Sequence, residues 1–358
     1  MKKKLLASLL IAVVFVCTFV FGANAAATEI STPEQLLELM TETSTNMKGS
    51  YVLTKNIDMS EMEGQSPIGT ATYKFTGTFD GAGYTISGLN IDTTSDTGTY
   101  PYAGLFGLVN KGTIKNLTVE GTITGKQSAG GIAGWARGAT IINCHNYATV
   151  TTTSTSNGAG GILGFGDFNG TNISVAITNC TNHGNITAGA YAGGIYGLSQ
   201  ERTNTVQSLV ITGCKNYGNV TVNSGNVVGG IVGYHRCSAT TGANVFTINE
   251  CANYGAISAT STATNKGNYA GGIIGAALVS NNVTSTTITL TNLYNEGSVN
   301  AVNGVYEGGI GAVLRIPLTS TGEDGNLTTS FVLKNWIQNG PETGIGALAT
   351  FEIGRAHV

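Results

Sequence analysis

One segment, Ala or Val followed by Gly-Gly-Ile-x-Gly, returns as Ala129–Gly134, Ala159–Gly164, Ala192–Gly197, Val228–Gly233 and Ala270–Gly275. An earlier copy reads Gly104-Leu105-Phe106-Gly107, and degraded later copies read Gly308-Gly309-Ile310-Gly311 and Gly344-Ile345-Gly346. The glycines before the apolar residue, at 104, 131, 161, 194, 230, 272, 309 and 344, lie 27 to 42 residues apart. Units of that size cannot bury a core alone, so consecutive copies must stack and share one.

A second motif falls between the glycine segments. It reads Ile141-Ile142-Asn143-Cys144-His145-Asn146, then Ile177-Thr178-Asn179-Cys180-Thr181-Asn182, Ile211-Thr212-Gly213-Cys214-Lys215-Asn216 and Ile248-Asn249-Glu250-Cys251-Ala252-Asn253. Related segments place Leu117, Leu293 and Trp336 where the others have cysteine. A position that accepts Cys, Leu or Trp is an apolar packing slot, and the alternation around it is that of a short strand. Leu117, Cys144, Cys180, Cys214, Cys251, Leu293 and Trp336 are therefore expected to form one interior ladder. Asn146, Asn182, Asn216, Asn253 and Asn295 form a second, at a turn, with Gly184, Gly218, Gly255 and Gly297 two residues beyond. Both residue types tolerate a left-handed corner, which is the role expected of them.

These repeats predict an all-β chain, a right-handed parallel β-helix with rungs about 4.8 Å apart. Composition agrees: 52 of 358 residues are glycine and charged residues are 10%, which excludes helical bundles and coiled coils. Disorder is excluded by 41% hydrophobic residues, and collagen by five prolines and no three-residue glycine period. A net charge of −3 gives no electrostatic reason to expect nucleic acid as a partner.

The chain divides into four parts. Residues 1–25 have the pattern of a secretory signal: Lys2 to Lys4, an apolar run from Leu5 to Phe21, and Ala23-Asn24-Ala25 as cleavage site. No transmembrane segment is expected after cleavage. Residues 26–50 form an N-terminal cap with one short helix, signalled by Thr32-Pro33-Glu34 ahead of Leu36, Leu37, Leu39 and Met40. Residues 51–351 form the solenoid, with early strands expected at Gly49–Ile57 and Tyr73–Phe79. Residues 352–358 match the translation of a sequencing adapter, so the solenoid is expected to continue in the natural protein.

Gly104-Leu105-Phe106-Gly107, preceded by Phe75-Thr76-Gly77-Thr78-Phe79-Asp80-Gly81-Ala82-Gly83 and followed by the repeats, resembles the GLUG-motif proteins over roughly residues 30–350. The resemblance implies a secreted or surface-displayed bacterial protein, of the kind found in adhesins and in the non-catalytic repeat regions of immunoglobulin A peptidases. It carries no catalytic residue and no common activity.

No catalytic, cofactor-binding or metal site is expected from the residues themselves. The slot cysteines read as buried free thiols, since in-register neighbours rarely meet disulfide geometry; Cys237 is the thiol expected at the surface. Cys144-His145 and Cys180 with His183 would aim their ligands to opposite sides of a strand. The loop Gly164–Gly170 has one Asp, Asp167, where calcium-binding turns need sharing neighbours. Asp58, Glu61 and Glu63 precede the repeats, and no carboxylate pair of the kind used on glycosides recurs. Threonine runs at 149–155 and 284–291 fall mainly in stretches of variable length and read as outward threonines suited to strands and loops. The expected function is an exported structural stalk or adhesin-type binding module, secreted or at the cell surface, with a host glycan, host protein or cell envelope as partner. The alternative is a non-catalytic repeat domain of a larger secreted peptidase or polysaccharide-degrading enzyme.

Overall fold

The structure, a computed structural model, describes residues 26–353 apart from 43–44, 99, 171, 201–206, 225–226, 238–242, 261–268, 280–284, 303–305, 317–327 and 339–347. The expected signal segment, Gly344–Gly346 and 354–358 lie outside the described residues, as do the side chains of Cys237 and Trp336.

The chain is a parallel β-helix. Among the described residues its strands form three sheets of 20, 6 and 8 strands, and strands pair in parallel with their counterparts one repeat away. One turn of the coil shows the pattern. Ile173–Thr178, Thr181–Asn182 and Ile186–Ala188 belong to the large sheet, Tyr191–Gly193 to the six-stranded sheet, and Tyr196–Gln200 to the eight-stranded one. Residues alternate inward and outward along each piece, so Val175, Ile177, Cys180, Asn182, Ile186 and Ala188 are all buried. Their neighbours above and below are the same types in register, for example Ile177 with Ile211 and Ile186 with Val220. One continuous core therefore runs the length of the coil.

The N-terminal end is closed by the helix Pro33–Thr41. Thr32 accepts from the Gln35 amide at 3.3 Å, and the Gln35 carboxamide accepts from the Thr32 amide at 3.2 Å, a reciprocal capping box. Leu36, Leu39 and Met40 are buried against the first turns of the coil, with Leu37 partly buried beside them. Among the described residues no helix is long and apolar enough to cross a membrane.

Several expectations need correction. The early strands are Ser50–Leu53, Ile57–Asp58 and Thr78–Asp80, and Phe75 makes only an isolated bridge to Val109. Stacking begins before the first glycine motif, because Thr28–Ile30 pairs with Ser50–Leu53 and Ile57–Asp58 with Ile86–Ser87. The threonine run at 149 begins, as expected, in a strand: Thr149–Thr152 pairs with Ile186–Ala188, with Thr149 exposed and Val150 and Thr152 facing in. Glu352 and Ile353 close the last strand, Leu348–Ile353.

A further correction concerns the corner. The left-handed residue is the one before the packing slot: Asn116, Asn143, Asn179, Glu250 and Asn292 have φ between 50° and 56°, and Gly213 has φ 67°. Asn146 and its counterparts are not left-handed, and neither are Gly184, Gly218, Gly255 and Gly297. These glycines are required by crowding. A Cβ at Gly218 would lie 2.0 Å from the Gly184 carbonyl oxygen of the turn below.

Candidate functional site

Inside the coil, the slot residues Leu117, Cys144, Cys180, Cys214, Cys251 and Leu293 are all buried. Cys144 is in register with Leu117, and Leu293 with Trp336. The Cys144 amide meets the Cys180 sulfur at 3.4 Å, and the Cys180 amide meets that of Cys214 at the same distance. The four thiols are free. Burial pushes those of Cys144 and Cys214 well up, away from the thiolate.

Asn146, Asn182, Asn216, Asn253 and Asn295 also point inward, fully buried. From Asn146 to Asn253, each Nδ2 donates to the Oδ1 of the next asparagine at 2.7 to 2.8 Å. The same Nδ2 donates to the carbonyl two residues on, as Asn182 does to Gly184 at 2.8 Å. Each carboxamide of that run thus has its donors used, as a buried amide requires. The glycine motif faces this column across the core. A Cβ at Gly194 would lie 2.3 Å from Cγ of Asn216, and one at Gly230 would lie 2.4 Å from Cγ of Asn253. The two motifs of the sequence are one packing unit. Both ladders are architecture, and neither offers a group to solvent.

The outer surface is different. In the eight-stranded sheet the residue before the last glycine of each motif faces in and the one after it faces out. The outward row, in register, is Leu108, Trp135, Phe165, Leu198, Tyr234 and Ala276. Tyr102, Leu108, Trp135, Phe165 and Leu198 make an apolar cluster separate from the core. Beside it lies a cleft of about 370 Å³, walled by Tyr100, Tyr102, Trp135 and Phe165 and by Lys74, Arg137, Asn157, Asp167 and Asn169. The Tyr102 ring lies within 12° of parallel to Trp135 and within 9° of parallel to Phe165. Tyr100 stacks on Tyr102 at 5.9 Å and is 51% exposed, so it carries the accessible ring.

Arg137 holds the polar side of the cleft. Its guanidinium lies 5.2 Å from the centre of the Trp135 ring and is paired with Asp167. Asp167 also accepts from the Asn169 amide at 2.7 Å. The one aspartate of the Gly164–Gly170 loop therefore closes a turn and fixes an arginine. Two other cavities lack this character. The larger, about 500 Å³, lies between the helix and the first strands and is lined by Glu29, Glu38, Glu42 and Lys48. The other, about 400 Å³, lies in the loop carrying Glu61 and Glu63. Asp58 accepts from the Ser60 amide at 3.0 Å, and that hydrogen bond lowers its carboxyl below the usual range.

A second outer row consists of Tyr147, His183, Tyr217 and Tyr254, stacked at 4.3 to 4.8 Å. Their ring faces cover one another, which leaves only edges for a ligand. His145 lies outside as well, bonded to Thr181 Oγ1 at 2.8 Å, on the opposite side of its strand from the thiols.

The sequence reading missed Tyr100, Trp135, Arg137 and Asp167. The usable signal was the residue after each motif's last glycine. It is large and apolar at five successive positions, although the alternation from the buried residue before that glycine turns it outward.

No known family model matches this chain. Halomucin of Haloquadratum walsbyi is 35% identical over 147 residues, which is 37% of this chain and 2% of halomucin. A crystal structure from Bacteroides ovatus, described as that of a candidate immunoglobulin A1 protease, superposes with a TM-score of 0.55 at 20% identity, covering 87% of this chain and 85% of that one. A further solved structure, of an IgA1 protease, has a TM-score of 0.48 at 16% identity and covers 85% of this chain and 21% of that chain. The Bacteroides ovatus likeness is one of fold.

Proposed function

We propose that this chain is the β-helical part of a secreted or cell-surface protein and acts there as a binding module, with its ligand held at the cleft beside Trp135. The observation that carries the reading is that cleft: an exposed Tyr100 backed by parallel aromatic rings, with an aspartate-fixed arginine beside it, on the outside of a scaffold whose two internal ladders offer nothing to solvent. Rigid elements that present variable residues at fixed spacing suit recognition. Export is supported by the signal-like start and by similarity to a protein named as a mucin. The GLUG-like repeats agree with it. The cleft lining offers one carboxylate, already held by Arg137, where glycoside hydrolysis wants two facing one sugar.

The test is retention of the labelled full chain on immobilised mucin, peptidoglycan and extracellular-matrix protein. Wild type is expected to be retained on at least one of them, and Tyr100→Ala with Arg137→Ala to lose that retention. Retention on none, or retention indifferent to both changes, overturns the reading.

The fold likeness to the Bacteroides ovatus chain favours a second reading, a non-catalytic repeat domain of a larger secreted peptidase. Under it the chain alone leaves immunoglobulin A intact, and the complete gene encodes a peptidase motif elsewhere. Cleavage of immunoglobulin A by this chain would overturn both.

A further inference from the structure

The outer surface beyond the cleft continues the same row. Phe165 is in register with Leu198, and Leu198 with Tyr234. Tyr191, from the six-stranded sheet, meets Tyr234 at 5.3 Å between ring centres. Tyr191 and Tyr234 pack both against the cluster at Trp135 and against a second one around Val227 and Ala276. Leu108, Trp135, Phe165 and Leu198 are 3–8% exposed and form the floor of this strip, so the rings left open are Tyr100 at one end and the partly buried Tyr191 and Tyr234 at the other. From Trp135 to Tyr234 is three rungs, about 14 Å at the parallel-strand spacing.

We infer that this strip holds a neutral, β-1,4-linked polysaccharide chain lying along the axis of the coil, with Tyr100, backed by Tyr102 and Trp135, at one stop and Tyr191 and Tyr234 at the other. The inference rests on the reading of the cleft as a ligand site and names the ligand's chemistry. Four features favour a sugar polymer. A rung spacing of about 4.8 Å is close to the length of one residue of an extended β-1,4-linked chain, so ligand and scaffold stay in step. Flat ring surfaces match the C–H faces of pyranoses. The guanidinium, carboxylate and carboxamides at the rim offer planar donor and acceptor pairs to adjacent hydroxyls. The cleft, at the small end of ligand pockets, has room for about two sugar rings, so a longer chain must leave it along the strip.

Charge decides for a neutral chain over an acidic one. Arg137 is paired with Asp167, and the Lys74 ammonium donates to the Ala71 carbonyl, which leaves no cluster of cations for uronate groups.

The test is titration calorimetry of the full chain with cellohexaose, chitohexaose and mannohexaose, with their disaccharides, and with hexagalacturonate. At least one neutral hexasaccharide is expected to bind about tenfold tighter than its disaccharide, through the second stop. Tyr100→Ala should weaken both about tenfold. Tyr234→Ala should abolish the advantage of length and leave disaccharide binding unchanged. Tyr100 is half exposed, so its removal leaves folding intact, and an unchanged thermal midpoint checks Tyr234→Ala; if that midpoint falls, Tyr191→Ala replaces it. The inference is overturned if no neutral hexasaccharide binds, if length brings no gain, or if hexagalacturonate binds best. Failure on sugars alongside Tyr100-dependent retention on a protein-coated surface would leave the binding-module reading standing. Failure of both would remove both.

Discussion

The asparagine column and the thiol column run side by side through the same turns of the coil, and they are held by different physics. In the thiol column Leu117 and Leu293 stand in for cysteine at the ends without disturbing the register. In the asparagine column the slot passes to Val119 before Asn146 and to Gln338 after Asn295, but Asn146, Asn182, Asn216, Asn253 and Asn295 form an unbroken run, in which carboxamides bond from rung to rung and glycines make room. A slot defined by volume tolerates substitution anywhere; within a run of directed hydrogen bonds in a dry core an exchange breaks the chain of donors.

The largest effect that would sharpen this contrast is at Asn182. Asn182→Leu keeps the branched outline, with somewhat more bulk, but removes the bonds to Asn146, Asn216 and the Gly184 carbonyl. Leaving buried amides unpaired is expected to cost about 3–5 kcal/mol, read as a lowered urea midpoint. A loss under about 1 kcal/mol would show the column to be only a spacer.

Next comes the glycine that faces it. Gly194→Ala puts a methyl 2.2 Å from the Gly230 carbonyl oxygen and 2.3 Å from Cγ of Asn216, and neither backbone nor locked carboxamide can yield. The expected cost is about 2–3 kcal/mol. The double change with Asn216→Ala should cost less than the sum of the two singles, since the second removes what the first collides with. Strict additivity would break the claim that the two motifs are one unit.

A third buried polar group tests whether burial without a column behaves differently. His235 is 2% exposed, bonded to Ser199 Oγ at 2.7 Å and stacked on Phe246 at 4.3 Å. Burial lowers its pKa to about 3. The unfolded chain takes up a proton near pH 6.5 and the folded one does not, so this stability is full above pH 6.5 and is lost as pH falls toward 3. Between pH 6.5 and 4.5 the loss is about 2–3 kcal/mol, at about 1.4 kcal/mol per pH unit. Carboxylates such as Asp58 add their losses only at lower pH. Stability measured against pH should show this limb in wild type and lack it in His235→Gln. A flat wild-type profile over that window would mean that His235 is not held neutral.

These contrasts also explain how far the sequence could be read. The repeat, the parallel coil, the capping helix and the inward thiols follow from periodicity, because a solenoid writes each interior position once per turn. The purpose of Asn146 and its counterparts was misjudged, since asparagine followed by glycine suits both a left-handed corner and a buried amide ladder. Only the φ angles and the distance across the core separate the two. The cleft was illegible for a further reason. Trp135 is placed by the repeat and Asp167 ends the strand Leu163–Asp167, but Tyr100 belongs to a loop before the first full copy, and no periodicity relates it to the other two. The interior is the same at every level, whereas the outer row changes from Leu to Trp, Phe, Leu, Tyr and Ala, and that variation is where recognition has room to arise.

The smallest expected effect lies in the thiol column and completes the comparison. Cys214→Ala removes one sulfur that meets the Ile177 and Thr212 carbonyls at 3.6 and 3.5 Å and the Cys180 amide at 3.4 Å, all long contacts of a weak donor and acceptor. The cavity is small, and the loss should be about 1 kcal/mol. Cys214→Ser should differ little from it, because the hydroxyl inherits the same acceptors. With the four thiols buried out of reach of water, and those of Cys144 and Cys214 raised by burial, iodoacetamide should label none of Cys144, Cys180, Cys214 and Cys251 in the folded chain and all four in urea. A cost at Cys214 as large as that at Asn182 would erase the distinction between the two columns. Labelling of the folded chain would place the thiols at a surface, and the core could not then be the single column of touching side chains that gives the coil its register.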